Sequence, residues 1–175
     1  VRTVDASSQS PSPGLLQTIV FGRRPGWTLA RVVFWVVALI LVSRFILLPV
    51  RVQGISMMPT YRENGVNAIN RLAYLRGTPQ RGDVVAIRYS GHHIMLMKRV
   101  IALPGETIGF VNGRAFVNGQ PLYEPYLKLP SSWNVPEVKL APDEYFVVGD
   151  NRSMAPADHE FGRATRERIL GKAVF

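Results

Sequence analysis

The sequence predicts a mainly β protein, an antiparallel β domain preceded by one N-terminal transmembrane helix, and three observations carry that expectation. An apolar stretch long enough to cross a bilayer lies near the N-terminus. Beyond residue 50 the helical period disappears, and short runs rich in Val, Ile, Phe and Tyr take over. Turn dipeptides separate those runs, Asn112-Gly113 and Asn118-Gly119 above all.

The chain's 175 residues allow one ordinary domain with some length to spare. Hydrophobic residues make up 47% and charged residues 19%, which excludes a disordered tail protein and supplies a folded core. Zero cysteine excludes disulfides, thiol nucleophiles, Cys-ligated zinc and iron–sulfur clusters. Nucleophilic catalysis must therefore use oxygen or nitrogen. The net charge of +9 is spread along the chain, with five Arg against one Asp in residues 1–50 and sixteen basic against eleven acidic residues beyond. No basic face interleaved with aromatics and no helix-turn-helix or zinc pattern accompanies it, so no nucleic-acid partner is expected. Attraction to anionic lipid headgroups accounts for the sign.

Residues 1–27 read as a cytoplasmic, partly disordered tail, Ser/Pro-rich over 6–14. Residues 28–49 read as a signal anchor, because from Val32 to Leu48 only Ser43 and Arg44 interrupt the apolar run, and Pro49 stops it. No small-residue cleavage site follows. Arg23, Arg24 and Arg31 lie on the N-terminal side, which predicts a single pass with the N-terminus cytoplasmic and residues 50–175 outside. Strands are expected over 66–69, 83–89, 94–102, 107–111, 114–117 and 144–148. The two Asn-Gly turns make 107–122 a meander of three short strands. Residues 122–139 are Pro-rich without a period and are expected to form an irregular insertion packed by Tyr123, Tyr126 and Trp133.

The chemistry-bearing residues are few. His92 and His93 sit beside Gly91 in an expected turn, as solvated loop histidines. No His-Glu-x-x-His helix, calcium loop or phosphate cradle occurs, so neither metal nor cofactor is expected. Lys98 lies inside the most apolar strand of the outer domain, and alternation puts it on one face with Ile94, Leu96 and Val100. A lysine desolvated there loses proton affinity and becomes a general base; alternatively its stem packs and its charge reaches solvent, and the strand alone leaves both open. Ser56 sits in a loop bracketed by Gly54 and Pro59, which could expose its hydroxyl and aim its amide at an oxyanion. A loop serine without such a role is the alternative.

Four segments occur in order: Gly54-Ile55-Ser56-Met57-Met58-Pro59-Thr60, Arg81-Gly82-Asp83-Val84-Val85, Lys98-Arg99-Val100-Ile101-Ala102-Leu103-Pro104-Gly105-Glu106 and Gly149-Asp150-Asn151-Arg152. Behind an N-terminal anchor, they resemble the signature boxes of the type I signal peptidases (leader peptidases). The resemblance implies a membrane-bound serine endopeptidase that removes N-terminal signal peptides from exported preproteins after small residues, at Ala-x-Ala type sites. It implies Ser56 as nucleophile, with its backbone N–H as oxyanion donor, and Lys98 as general base. The substrate would bind as an added strand. By position, Val52, Met57, Tyr61, Leu96 and Met97 would line its pockets. Arg99 would pair with Asp150 as structural support.

The chain departs from the family pattern at two places. Gly54 stands where many members carry Ser or Thr. In the last box, an ungapped alignment sets Ala155 on the family Ser that bonds the catalytic amine and Ala157 on the family Asp. A one-residue shift would give Asp158 the Asp role, and Ser153 would reach Lys98 by another path of the loop. The implied partners are preprotein signal peptides, the lipid bilayer and the protein-export machinery, at a bacterial plasma membrane. A catalytically inactive anchored relative that binds export substrates and a narrow-specificity accessory peptidase are the alternatives. Ser56 lies seven residues beyond Pro49, a reach of at most about 25 Å, which would bring nucleophile and scissile bond to the same depth.

Overall fold

The computed structural model describes residues 25–88, 95–159 and 161–174. The expected disordered stretch 6–14, His92, His93 and the strand ends at Tyr89 and Ile94 lie outside the described residues. The chain divides into two compact units, one ending at Val42 and one starting at Ser43.

In the first unit, helix α1 spans Pro25–Leu41; the π-helical turn that follows it, Val42–Ile46, lies almost wholly in the second. Pro25 suits a first helical turn, where its missing N–H costs nothing. The stretch Trp27–Ile46 has a mean hydropathy of 2.2, is 20 residues long, and none of it is buried. Trp35 and Leu39 are 68% and 69% exposed. A helix apolar on every side and uncovered by protein has the surface of one that lies in lipid.

The first strand of the second unit is β1, Leu47–Arg51. The sequence reading carries the anchor to residue 49; the observed backbone leaves the helix earlier, because Leu47, Leu48 and Val50 pair with Asn70, Ile69 and Asn67 of β2 (Val66–Asn70). Pro49 fits this place, since β1 is an edge strand where a missing N–H is tolerated. The remaining strands are β3 (Val84–Arg88), β4 (Met95–Ala102), β5 (Thr107–Val111), β6 (Arg114–Val117), β7 (Gln120–Pro121), β8 (Val135–Lys139), β9 (Glu144–Val148), β10 (Gly162–Thr165) and β11 (Ile169–Ala173). They form a seven-stranded sheet ordered β1-β2-β11-β3-β4-β9-β10 and a four-stranded sheet ordered β7-β6-β5-β8. The pairings are antiparallel.

Strand alternation sorts the core into two clusters. Phe146 and Val148 of β9 join Phe110, Trp133, Ile101 and Ile108, tying the two sheets together. Tyr145 and Val147 point the other way and join Val85, Ile87, Val100 and Ile169. The Asn-Gly turns hold Asn112, Gly113, Asn118 and Gly119 at φ of 46°, 79°, 51° and 74°, the left-handed geometry of a type I′ hairpin. Residues 122–139 are less irregular than expected: their last part is β8, paired with β5 through Ile108↔Val138 and Phe110↔Val135. Pro136 hides this strand in the sequence, and it is accommodated because β8 is also an edge.

Candidate active site

Lys98 reaches the site from the middle of β4. It pairs with Val85 across β3 and shares a face with the buried Val100, so its stem enters apolar surroundings, and the residue is 2% exposed. Its Nζ lies 2.8 Å from Ser56 Oγ.

Ser56, half-buried, sits in a tight loop after β1. The loop is closed by Met58 N–H donating to the Ile55 carbonyl (3.0 Å) and Tyr61 N–H to the Met57 carbonyl (3.0 Å). Gly54 stands at φ +85°, a conformation that L side chains rarely adopt. The Gly149–Arg152 box then clamps the loop from across the molecule. Asn151 donates its N–H to the Ser56 carbonyl (2.9 Å) and its Nδ2 to the Ile55 carbonyl (3.1 Å). Among the described residues the Ser56 N–H has no acceptor, which leaves it available to a developing oxyanion.

Arg99, the neighbour of Lys98, points to the opposite face and grips Asp150 with two hydrogen bonds of 2.8 and 2.6 Å. Asp150 is fully buried and also accepts from the Thr60 hydroxyl (2.6 Å), so one carboxylate ties the strand of Lys98 to the loop of Ser56. Burial works against the Arg99 charge, but Asp150 outweighs it and holds the guanidinium above its usual pKa. The Tyr126 ring stacks on Arg99, with Cζ 3.9 Å from the ring centroid. Arg152 is fully buried and donates to the Gly149 carbonyl (2.8 Å) and to Glu124 (2.6 Å).

A cleft of about 500 Å³ opens beside Ser56, lined by Val52, Met57, Leu96 and Met97 together with Ala86 and Met95. Four of the five residues expected to form the substrate pocket therefore meet there. Tyr61 does not line it; burial raises its phenol above the ordinary pKa, against the opposing charge of Arg99. Ser153 is exposed and donates its hydroxyl to Asn151 Oδ1 (2.6 Å), so it bears on the clamp that holds Ser56. Asp158 is exposed in a short 3₁₀ turn, Pro156–Asp158, and its carboxylate has no ion pair or hydrogen bond among the described residues.

Comparison with known proteins decides the family. The sequence model for signal peptidase, peptidase S26, matches residues 26–175. This chain belongs to that family. The probable signal peptidase I-1 of Synechocystis is 32% identical over 78% of this chain and 74% of its own length. The signal peptidase I of Leptolyngbya laminosa is 35% identical over 68% of this chain, which spans 63% of that relative. The signal peptidase I V of Bacillus subtilis is 34% identical over 83% of this chain and 94% of its own length. Membership makes the protein a hydrolase, a serine endopeptidase, and its N-terminal apolar helix fits a membrane-anchored member of the family.

Sequence reasoning missed several residues that hold this site. Thr60, Asn151 and Arg152 lie inside the quoted boxes, yet nothing in their spacing reveals which carbonyl or carboxylate each one meets. Glu124 lies in the Pro-rich segment, where the sequence marks Tyr126 only as a packing residue. A buried arginine in the last box is the one signal that would have called for a carboxylate partner elsewhere.

Proposed function

We propose that Ser56 is the nucleophile and Lys98 the general base with which this endopeptidase cuts signal peptides from exported preproteins, after small residues at Ala-x-Ala type sites. The observation that carries this reading is the 2.8 Å approach of Nζ to Oγ by a lysine only 2% exposed. The neutral amine takes the Ser56 proton as Oγ attacks the scissile carbonyl, and the Ser56 N–H stabilises the oxyanion. The resulting ammonium protonates the leaving nitrogen, which leaves an ester on Oγ. Water then attacks that ester, with the amine again as base, and the signal peptide departs as its carboxylate.

Sheet pairing supports substrate entry as an added strand. Met95–Lys98 pair with β3 through Arg88, Ile87, Ala86 and Val85, whereas pairing of β4 with β9 begins only at Arg99. The edge on the β9 side therefore has backbone to offer an extended peptide, next to the cleft of Val52, Met57, Leu96 and Met97. The fully buried Met57 and half-buried Met97 leave room there for small side chains. The arginines flanking the anchor favour a single-pass protein of a bacterial plasma membrane, N-terminus cytoplasmic, with lipid and the export machinery as partners.

The test is cleavage of a preprotein bearing an Ala-x-Ala site, in detergent, by wild type, Ser56→Ala and Lys98→Met from pH 6 to 10. A product at that site, lost by at least about a thousandfold in either variant, is expected, with a wild-type rate that climbs with pH until the amine is neutral. An inactive wild type that still binds the preprotein would leave the non-cutting relative as the better description.

A further inference from the structure

Ala155 and Ala157, with Pro156 between them, form the one Ala-x-Ala sequence in the chain. Elsewhere in the β domain Ala86, Ala102, Ala115 and Ala164 are buried, whereas Ala155, Pro156, Ala157 and Asp158 are all exposed. These four residues run from the third position before a cut to the first after it. Their loop is weakly held. Its 3₁₀ turn, Pro156–Asp158, buries no residue and has no side-chain cap. Asp158 N–H donates to the Ala155 carbonyl (3.0 Å) and His159 N–H to the Pro156 carbonyl (3.2 Å), and a turn closed by two such bonds opens at little cost. Ala155 is already extended, at φ −62° and ψ 144°, and the fixed φ of a proline is compatible with an extended strand.

We propose that the loop 155–158 is a self-cleavage site, cut after Ala157 by a second copy of this enzyme. The inference rests on the Ser56–Lys98 reading and its Ala-x-Ala specificity. Attack by the chain's own Ser56 is disfavoured because the loop continues the segment that clamps that residue. Asn151 holds the Ser56 and Ile55 carbonyls, and Ser153 holds Asn151. Drawing the loop over its own Ser56 would dismantle this clamp, while a second copy takes the loop with its own clamp intact. The bond from Asn151 to Ser56 also keeps the loop near the level of the reactive pair. A neighbour anchored in the same membrane presents its Ser56 at that level, and confinement to one plane raises the frequency of encounter.

The chemistry is that of any substrate. Ser56 Oγ of one copy attacks the Ala157 carbonyl carbon of the other, and the Ala157–Asp158 bond breaks. The departing Asp158 nitrogen takes the proton from Lys98, and water then frees the Ala157 carboxylate from the ester. Downstream of the cut lie β10 and β11, and β11 sits inside the seven-stranded sheet between β2 and β3. Val85 of β3 pairs with Lys172 of β11 on one side and with Lys98 on the other. After the cut these strands are held by pairing and packing alone, without the chain connection that keeps them at high effective concentration. Loss of β11 bares the strand that registers Lys98, so the enzyme limits its own lifetime where its copies are crowded.

The experiment incubates the full chain in detergent at low and high concentration and follows it by intact mass, N-terminal sequencing and preprotein cleavage. Wild type is expected to yield one fragment ending at Ala157 and another beginning at Asp158, faster per molecule at high concentration, with preprotein cleavage lost in step. Ser56→Ala alone should stay whole. Mixed with active Ala157→Leu it should be cut after Ala157, and the double variant Ser56→Ala/Ala157→Leu should resist. Leu at this position is expected to slow the cut by about a hundredfold, and Ala157→Ser, still small, should restore most of it. Ala157→Leu should start at the wild-type preprotein rate and hold it longer. Wild type that cuts the preprotein and stays whole, or is cut elsewhere, overturns the self-cleavage site and leaves the Ser56–Lys98 reading standing. A cut that is independent of concentration and spares Ser56→Ala in the mixture overturns action by a second copy. Failure to cut the preprotein as well sinks the Ser56–Lys98 reading together with the site.

Discussion

Gly149 stands where the backbone of the last box passes Ser56, and a Cβ there would overlap the Ser56 carbonyl oxygen and lie 2.7 Å from His159 Cε1. That carbonyl also accepts the Asn151 N–H, so it cannot yield without loosening the clamp. The His159 ring is fixed in turn against Trp133, 5.1 Å between centroids. Gly149→Ala is therefore expected to displace Ser56 and lower kcat/KM by roughly a hundredfold, the scale of a displacement of about 1 Å at a reacting atom. Preprotein cleavage beside a thermal melt checks this, and a near-wild-type rate would mean the loop can move without consequence. At this scale the sequence was partly readable. The resemblance of the ordered boxes implies roles for Ser56 and Lys98 and the pairing of Arg99 with Asp150, and the structure shows Ser56 beside Lys98 and Arg99 on Asp150. The closeness of Gly149 to Ser56 does not, because it depends on two loops meeting over a separation that no local pattern encodes.

The elements are held in register by buried charge, and each tie predicts a measurable cost. Glu124 lies in the segment before β8, and its pair with the fully buried Arg152 joins that segment to the last box. Glu124→Gln would leave a buried guanidinium without its counter-charge, an expected loss of about 3–5 kcal/mol in denaturant unfolding. At the start of β3, Asp83 accepts from Tyr74 (2.8 Å) and pairs with Lys172 of β11 (2.6 Å). Burial alone would raise the Asp83 pKa, but Lys172, the Gln80 amide and the Tyr74 hydroxyl together hold it below the ordinary carboxylate value. A depressed folded pKa gives stability that is present above the unfolded value, near about pH 4, and lost as pH falls through the folded one. The gap in urea midpoint between wild type and Asp83→Asn should be open at pH 7 and close below about pH 4; a gap constant to pH 3 would refute the assignment. Among the elements, those announced by a period or an Asn-Gly turn were legible. β1 was not, because Leu47-Leu48 continues an apolar helix as readily as it begins a strand, and β8 was masked by Pro136.

For the whole molecule, the early end of α1 changes where the anchor can be cut away. Among the described residues every strand lies in the unit that begins at Ser43, and the first buried core residue is Val52, so the β domain carries its own core. A chain starting at residue 43 keeps β1; one starting at residue 50 loses most of it and strips β2 of its partner. The chain starting at residue 43 is expected to fold and to cut a short Ala-x-Ala peptide in a Ser56-dependent way, and the one starting at residue 50 to melt at lower temperature. Toward a preprotein embedded in vesicles the chain starting at residue 43 should lose about a hundredfold relative to the full chain, because a shared membrane supplies effective concentration that free diffusion does not. Comparing kcat/KM on the peptide and on the embedded preprotein separates the two contributions. An equal loss on both would mean that the apolar helix supports the catalytic fold itself, and that delivery of the substrate owes nothing to it.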